Sequence, residues 1–132
     1  ASRRDAFLAA ARAAGKWALV SWHDFRATPD TAALTRIFAR MRATAARSGK
    51  IVTTAENAAD AARLLGLLAH SSPEFPLSAF AMGAPGGITR LSSLFLGGHI
   101  GYASADAALA TAPGQMELRR LRELCDLFEA KS

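Results

Sequence analysis

The sequence is poor in cysteine, in lysine, in long apolar runs and in any dense block of one charge. Its one cysteine, Cys125, shares a helical apolar pattern with Leu121, Leu124 and Phe128 and has no partner for a disulfide. It reads as a core residue, and a chain without a disulfide framework is compatible with a reducing cytoplasm. No apolar run approaches the roughly 20 residues that span a bilayer. The opening Ser2-Arg3-Arg4-Asp5 leads into a charged helical pattern and not a secretory leader, so no membrane partner is expected. His70 and His99 lack further donors at metal-ligand spacing, which leaves no metal site to expect. The loop Gly83-Ala84-Pro85-Gly86-Gly87 has neither the lysine of a P-loop nor a dinucleotide fingerprint. The arginines nearest to a basic stripe are Arg36, Arg40, Arg42 and Arg47, with a second group at Arg119, Arg120 and Arg122. Nucleic-acid surfaces call for a clustered stripe with interleaved aromatics, so these read as solvated helix faces and no nucleic acid is expected.

What is present is one domain's worth of chain. The 132 residues are 51% hydrophobic and 20% charged, enough for a real core but not for two domains. The formal net charge of +5 suits an anionic small molecule. Of sixteen basic residues only Lys16, Lys50 and Lys131 are lysines, which makes Lys50 stand out.

The hydrophobic pattern alternates. Ser2 with Asp5 resembles a capping box before a helix carrying Phe7, Leu8, Ala11 and Ala14, and Gly15 stops it. Lys16 to Ser21 reads as a buried strand, followed by a loop from His23 to Thr28. Thr28 as cap and Pro29 at the first helical position open a helix with the stripe Leu34, Ile37, Phe38, Met41 and Ala45. Lys50 to Thr53 is a short strand, beginning before Gly49 if Lys50 is to lie near a functional end. Thr54 then caps a helix with Ala58, Ala61, Leu64, Leu65 and Leu68 inside. Pro76 to Met82 is a third strand, Ile88 to Leu96 a short helix, His99 to Ser104 a fourth strand, and Met116 to Ala130 a last amphipathic helix.

A helix followed by four strand–helix units predicts a parallel sheet with right-handed crossovers. Four such units make either a small open sheet or half of an eight-stranded barrel, and in both the chemistry belongs at the strands' C-terminal ends. The loops there begin at Trp22, Thr53, Met82 and Ser104 and carry His23, the Thr53-Thr54 pair, the segment from Gly83 to Arg90, and Thr111 to Gln115. A histidine and a lysine brought together on neighbouring strands suit carbonyl chemistry, the amine forming a Schiff base and the imidazole moving protons.

Ser21-Trp22-His23-Asp24-Phe25, Thr28-Pro29, Lys50-Ile51-Val52, Met82-Gly83 with Gly87-Ile88-Thr89-Arg90-Leu91, and Ala110-Thr111-Ala112-Pro113-Gly114-Gln115 together resemble the type I 3-dehydroquinate dehydratases. The motifs run through essentially the whole chain in the family's order. The resemblance implies a (β/α)8 TIM-barrel fold and the dehydration of 3-dehydroquinate to 3-dehydroshikimate, a step toward aromatic amino acids, with no cofactor. It implies that Lys50 forms the Schiff base and that His23 gives and takes protons. It further implies that Arg90 binds the substrate carboxylate, and that Thr111 and Gln115 hold the substrate beneath a mobile lid.

The sequence departs from the family at Thr111, where serine is usual, at Ala81 before Met82-Gly83, and at Thr53-Thr54, where Met-Pro is frequent. It also has no Glu-x-Arg motif, which the family carries in its first half. A barrel of this type takes about 250 residues, so residues 1–132 correspond to a single domain forming its C-terminal half. The expected partners are the small-molecule substrate and either a second copy in a homodimer or the missing N-terminal half. A non-catalytic dehydroquinase-like domain that binds a metabolite or a partner is the alternative. Taken singly, His23 is an ordinary loop histidine, Lys50 a strand-entrance lysine, Arg90 an exposed helix arginine, and Thr111 and Gln115 capping and loop residues. The resemblance accounts for all five together.

Overall fold

The structure, a computed structural model, describes residues 2–112 and 114–129. Three parallel strands, β1 (Leu19–His23), β2 (Ser48–Thr54) and β3 (Leu77–Met82), form one sheet in the order β1-β2-β3. Helix α1 (Arg3–Ala13) precedes the sheet, α2 (Thr31–Arg42) and α3 (Ala58–Gly66) cross between strands, and α4 (Gly87–Phe95) and α5 (Leu118–Glu129) follow. The Ser2–Asp5 capping box is formed in both directions, and Gly15 takes the left-handed conformation at φ 65° that ends the first helical unit.

The pleat sends alternate residues to opposite faces. Val20, Trp22, Ile51, Leu77, Ala79 and Ala81 pack with Leu34, Phe38, Met41 and Leu64 from the crossover helices. The other face pairs Ser21 with Lys50 and Lys50 with Ser78, then His23 with Val52 and Val52 with Phe80, then Thr54 with Met82. Val52, Phe80 and Met82 form a second, smaller apolar cluster joined by Tyr102. Thus β2 does begin before Gly49, and Lys50 lies inside the strand with its chemistry on the face away from the helices.

Several boundaries differ from expectation, each for a local reason. Thr28 does not cap α2. It is buried, donating to the Thr54 carbonyl at 2.9 Å and lying 2.8 Å from the Thr53 hydroxyl. Asp30 caps instead, accepting the Ala33 N–H at 2.7 Å. Thr54 likewise gives its hydroxyl to the Asp24 carbonyl, and Asn57 caps α3. His23 is the last residue of β1 rather than the first of a loop.

The expected fourth strand, residues 99–104, forms no ladder, so three of the four anticipated strand–helix units carry regular pairing. The His99 N–H reaches the Leu77 carbonyl, but the Ile100 N–H is taken by the Ser78 hydroxyl at 3.0 Å instead of a backbone acceptor. Ser104 turns to the C-terminal segment, bridging Glu117 in parallel fashion. The last helix starts at Leu118, two residues after its expected start; Ala130 lies outside the described residues.

Candidate active site

The β1–α2 connection is held tightly beneath His23. Asp24 Oδ1 accepts the N–H groups of Arg26 and Ala27 at 2.8 and 3.0 Å, an Asx turn that fixes the chain's exit from β1. Thr28 fastens the far side of the loop to β2. Arg63, paired with Asp60 at 2.8 Å, donates to the carbonyls of Thr28 and Pro29. His23 itself stays exposed, stacked on Phe25 with ring centroids 5.7 Å apart and planes within 14°.

The β3–α4 turn sets Arg90. Gly83 takes φ 84°, a left-handed conformation that favours glycine. A Cβ at Gly86 would collide with the Met82 carbonyl oxygen. Fully buried Thr89 accepts the Ala81 N–H at 2.7 Å and donates to the Gly86 carbonyl, riveting the first turn of α4 to β3. The next residue, Arg90, is consequently carried over the sheet and is only 5% exposed, not on the outer surface that its sequence position alone implies. Its Cζ lies 4.8 Å from the centre of the Phe80 ring.

Lys50, partly buried, places Nζ 4.1 Å from the centre of Tyr102 and 5.8 Å from that of Phe80. Thr111 and Gln115 close their own loop: Gln115 Oε1 accepts from the Thr111 N–H at 2.7 Å and from its hydroxyl at 3.1 Å. Gly114 supplies the left-handed turn between them at φ 74°; Pro113 lies outside the described residues.

These residues meet. A cleft of about 250 Å³ is lined by His23, Phe25, Lys50, Val52, Phe80, Met82, Arg90, Tyr102, Thr111, Ala112 and Gln115. All five site residues expected from the sequence border it, and no carboxylate does so among the described residues. The Thr53-Thr54 pair is absent from the lining and instead pins the β1–α2 loop.

Electrostatics follow from that wall. Loss of hydration, and then the charge of Arg90, lowers the pKa of Lys50 below the usual lysine value of 10.5. Loss of hydration, and then the charge of Lys50, lowers that of His23 below 6.5. Both shifts favour the neutral bases that attack carbonyls and accept protons. Arg90 is also lowered by burial but remains a cation at any ordinary pH.

Phe80 and Tyr102 are the wall residues not singled out from sequence. The alternation Ser78, Phe80, Met82 places Phe80 on the Lys50 face by strand period alone. Tyr102 carries no such signal, because its segment makes no regular strand.

A sequence model of the family described as Type I 3-dehydroquinase matches residues 2–132. A 3-dehydroquinate dehydratase of Desulfotalea psychrophila is 40% identical over 105 residues, covering 79% of this chain and 46% of the relative. The crystal structure of the 3-dehydroquinate dehydratase from Aquifex aeolicus superposes with a TM-score of 0.77 at 30% identity, over 95% of this chain and 55% of that one. The Geobacillus kaustophilus structure of the same description superposes with a TM-score of 0.90 at 24% identity, over 99% and 51%. The chain therefore spans about half the length of the proteins it matches.

Proposed function

The chain belongs to the type I 3-dehydroquinase family, and on that premise we propose that it carries the Schiff-base half of an active site that dehydrates 3-dehydroquinate to 3-dehydroshikimate. The observation that supports this most is the convergence of His23, Lys50, Arg90, Thr111 and Gln115 on one cleft.

The roles follow from the chemistry of each group. The neutral amine of Lys50 adds to the substrate ketone to give a carbinolamine, whose hydroxyl leaves as water with a proton drawn from solvent, giving an iminium; that proton returns to solvent when the imine is hydrolysed. The iminium withdraws electrons from the neighbouring C–H, and His23, one pleat further along the same sheet face, takes that proton. The electron pair moves into the new double bond as the hydroxyl on the next carbon departs, protonated by the imidazolium. Addition of water to the imine releases product and restores the amine. Arg90 pairs with the substrate carboxylate through its planar fork. Thr111 and Gln115 exchange their mutual hydrogen bonds for bonds to the substrate hydroxyls as their loop closes.

Residues 1–132 are read as the C-terminal half of the barrel, in a cytoplasmic protein. Among the described residues β1 pairs only with β2, at one edge of the sheet. The occupant that fits this flank is the complementary half-barrel, whose first strands continue the sheet and supply the carboxylate and further arginine that the family's chemistry uses. A homodimer is the competing assembly.

The test is reconstitution. Mixing or fusing this chain with the first half of a related barrel is expected to give turnover of 3-dehydroquinate that Lys50→Met and His23→Ala both abolish. Calorimetric binding of 3-dehydroquinate without turnover in the reconstituted protein would favour the non-catalytic, metabolite-binding alternative.

A further inference from the structure

Lys50 and Arg90 enter the same cleft, and among the described residues no carboxylate lines it. Like charges sharing a partly dehydrated site disfavour one another. Each of them lies against an aromatic ring. Arg90 Cζ sits 4.8 Å from the centre of Phe80, and Lys50 Nζ sits 4.1 Å from the centre of Tyr102. The two rings touch, with centroids 5.5 Å apart and planes at 43°, so one aromatic pair serves both cations. A ring face attracts a cation through its quadrupole while carrying no net charge. A carboxylate in the same place would hold the lysine more strongly, but it would keep it protonated and cancel the positive charge that greets an anionic substrate.

We propose that Tyr102 is a positioning residue whose ring face holds the Lys50 nitrogen in place of a carboxylate and stays against it when that nitrogen becomes a cationic iminium. The second clause rests on the imine reading of Lys50 given above. The contact is geometrically suited to both states, because amine and iminium share one nitrogen and differ little in its position. It also gives the short wall segment around Tyr102 a purpose that its lack of regular pairing leaves open. Hydration loss and Arg90 press Lys50 toward the neutral amine; the ring opposes them part of the way and keeps the nitrogen aimed into the cleft. Among the described residues, the charged and titratable groups around Lys50 are His23 from β1, Arg90 from α4 and the Tyr102 hydroxyl itself. Of these, His23 changes charge only in acid, below its usual 6.5, so an alkaline titration of Lys50 is read without its interference.

The experiment is a titration of Lys50 in the intact chain. Its lysines are methylated with carbon-13 formaldehyde and a hydride donor, and the methyl shifts are followed against pH by NMR. The Lys50 signal is assigned by its loss in Lys50→Arg. In Tyr102→Leu the midpoint is expected to fall by about half a pH unit, roughly a threefold change in protonation, which is the scale of one cation–π contact. Tyr102→Phe keeps the ring face and is expected to keep the wild-type midpoint. Pentafluorophenylalanine at position 102 keeps the shape but reverses the quadrupole, and is expected to lower the midpoint at least as far as leucine does. If Tyr102→Leu fails to fold, the fluorinated ring decides. An unchanged or raised midpoint with the fluorinated ring, or a shift in Tyr102→Phe as large as in Tyr102→Leu, overturns the proposal. The titration uses no 3-dehydroquinate, so its failure leaves the imine reading standing. Conversely, a missing imine on Lys50 would leave this contact standing.

Discussion

Lys50 carries a cost of burial beside a second cation. Its nitrogen gives up water to Phe80, Tyr102 and the sheet and lies near a second cation, Arg90. The folded pKa is therefore below the unfolded one, and the sign of the stability effect follows. Below the folded value the lysine is charged in both states and the full penalty is felt. Between the two values the native state sheds its proton, and above the usual 10.5 the penalty is gone. Lys50→Met, which keeps the side chain's length and apolar stem, is predicted to raise the melting temperature at pH 7 by about 2–4 °C. The gain should shrink steadily as the pH is raised toward 10.5 in circular-dichroism melts. A destabilised Lys50→Met at pH 7 would mean that the charged lysine is held favourably. At this scale the sequence was legible where strand period and chemistry coincide. Lys50 and His23 fall on one face because they belong to parallel strands in matching phase. Tyr102 was not legible, because only the folded wall brings a residue 52 positions away to within 4.1 Å of Lys50.

Among the elements, helix starts were the least legible, because Thr, Asp and Asn all make plausible caps and tertiary contacts choose among them. Thr28 and Thr54 have cap chemistry, yet their hydroxyls are spent on fastening the β1–α2 loop to β2. Asp30 and Asn57 take over the helix ends. The segment 99–104 has strand-like composition, but the Ser78 hydroxyl takes the N–H that a ladder would use. The β3–α4 rivet has the clearest consequence for the site. Thr89→Val keeps shape and volume but leaves the buried Ala81 N–H without its acceptor. It is predicted to cost about 1–3 kcal/mol in urea unfolding with an unchanged slope. Because Arg90 is the next residue, the same variant should also weaken carboxylate binding. A cost under about 0.5 kcal/mol, the range of surface changes, would mean that Thr89 does not hold the turn.

At the scale of the whole molecule, three parallel strands with their crossover helices on one side, together with the segment 99–104, make part of a barrel with the cleft on the other face. The alternation of strand and helix patterns made the parallel sheet readable from sequence, and the length against about 250 residues for a whole barrel made it readable that the chain spans only part of one. What composition could not convey is the strand order, which leaves β1 at one edge of the sheet. The cleft gathers His23 from β1, Lys50 from β2 and Arg90 from α4. The central claim is that Lys50 is the residue that bonds to the substrate. Its most direct test is to incubate the chain, reconstituted with the first half of a related barrel, with 3-dehydroquinate and borohydride, and to map the reduced adduct by mass spectrometry. The account predicts one adduct per chain, on Lys50 and not on Lys16 or Lys131, lost in Lys50→Met. A protein that turns the substrate over without an adduct on Lys50, or with its adduct on another lysine, would contradict it.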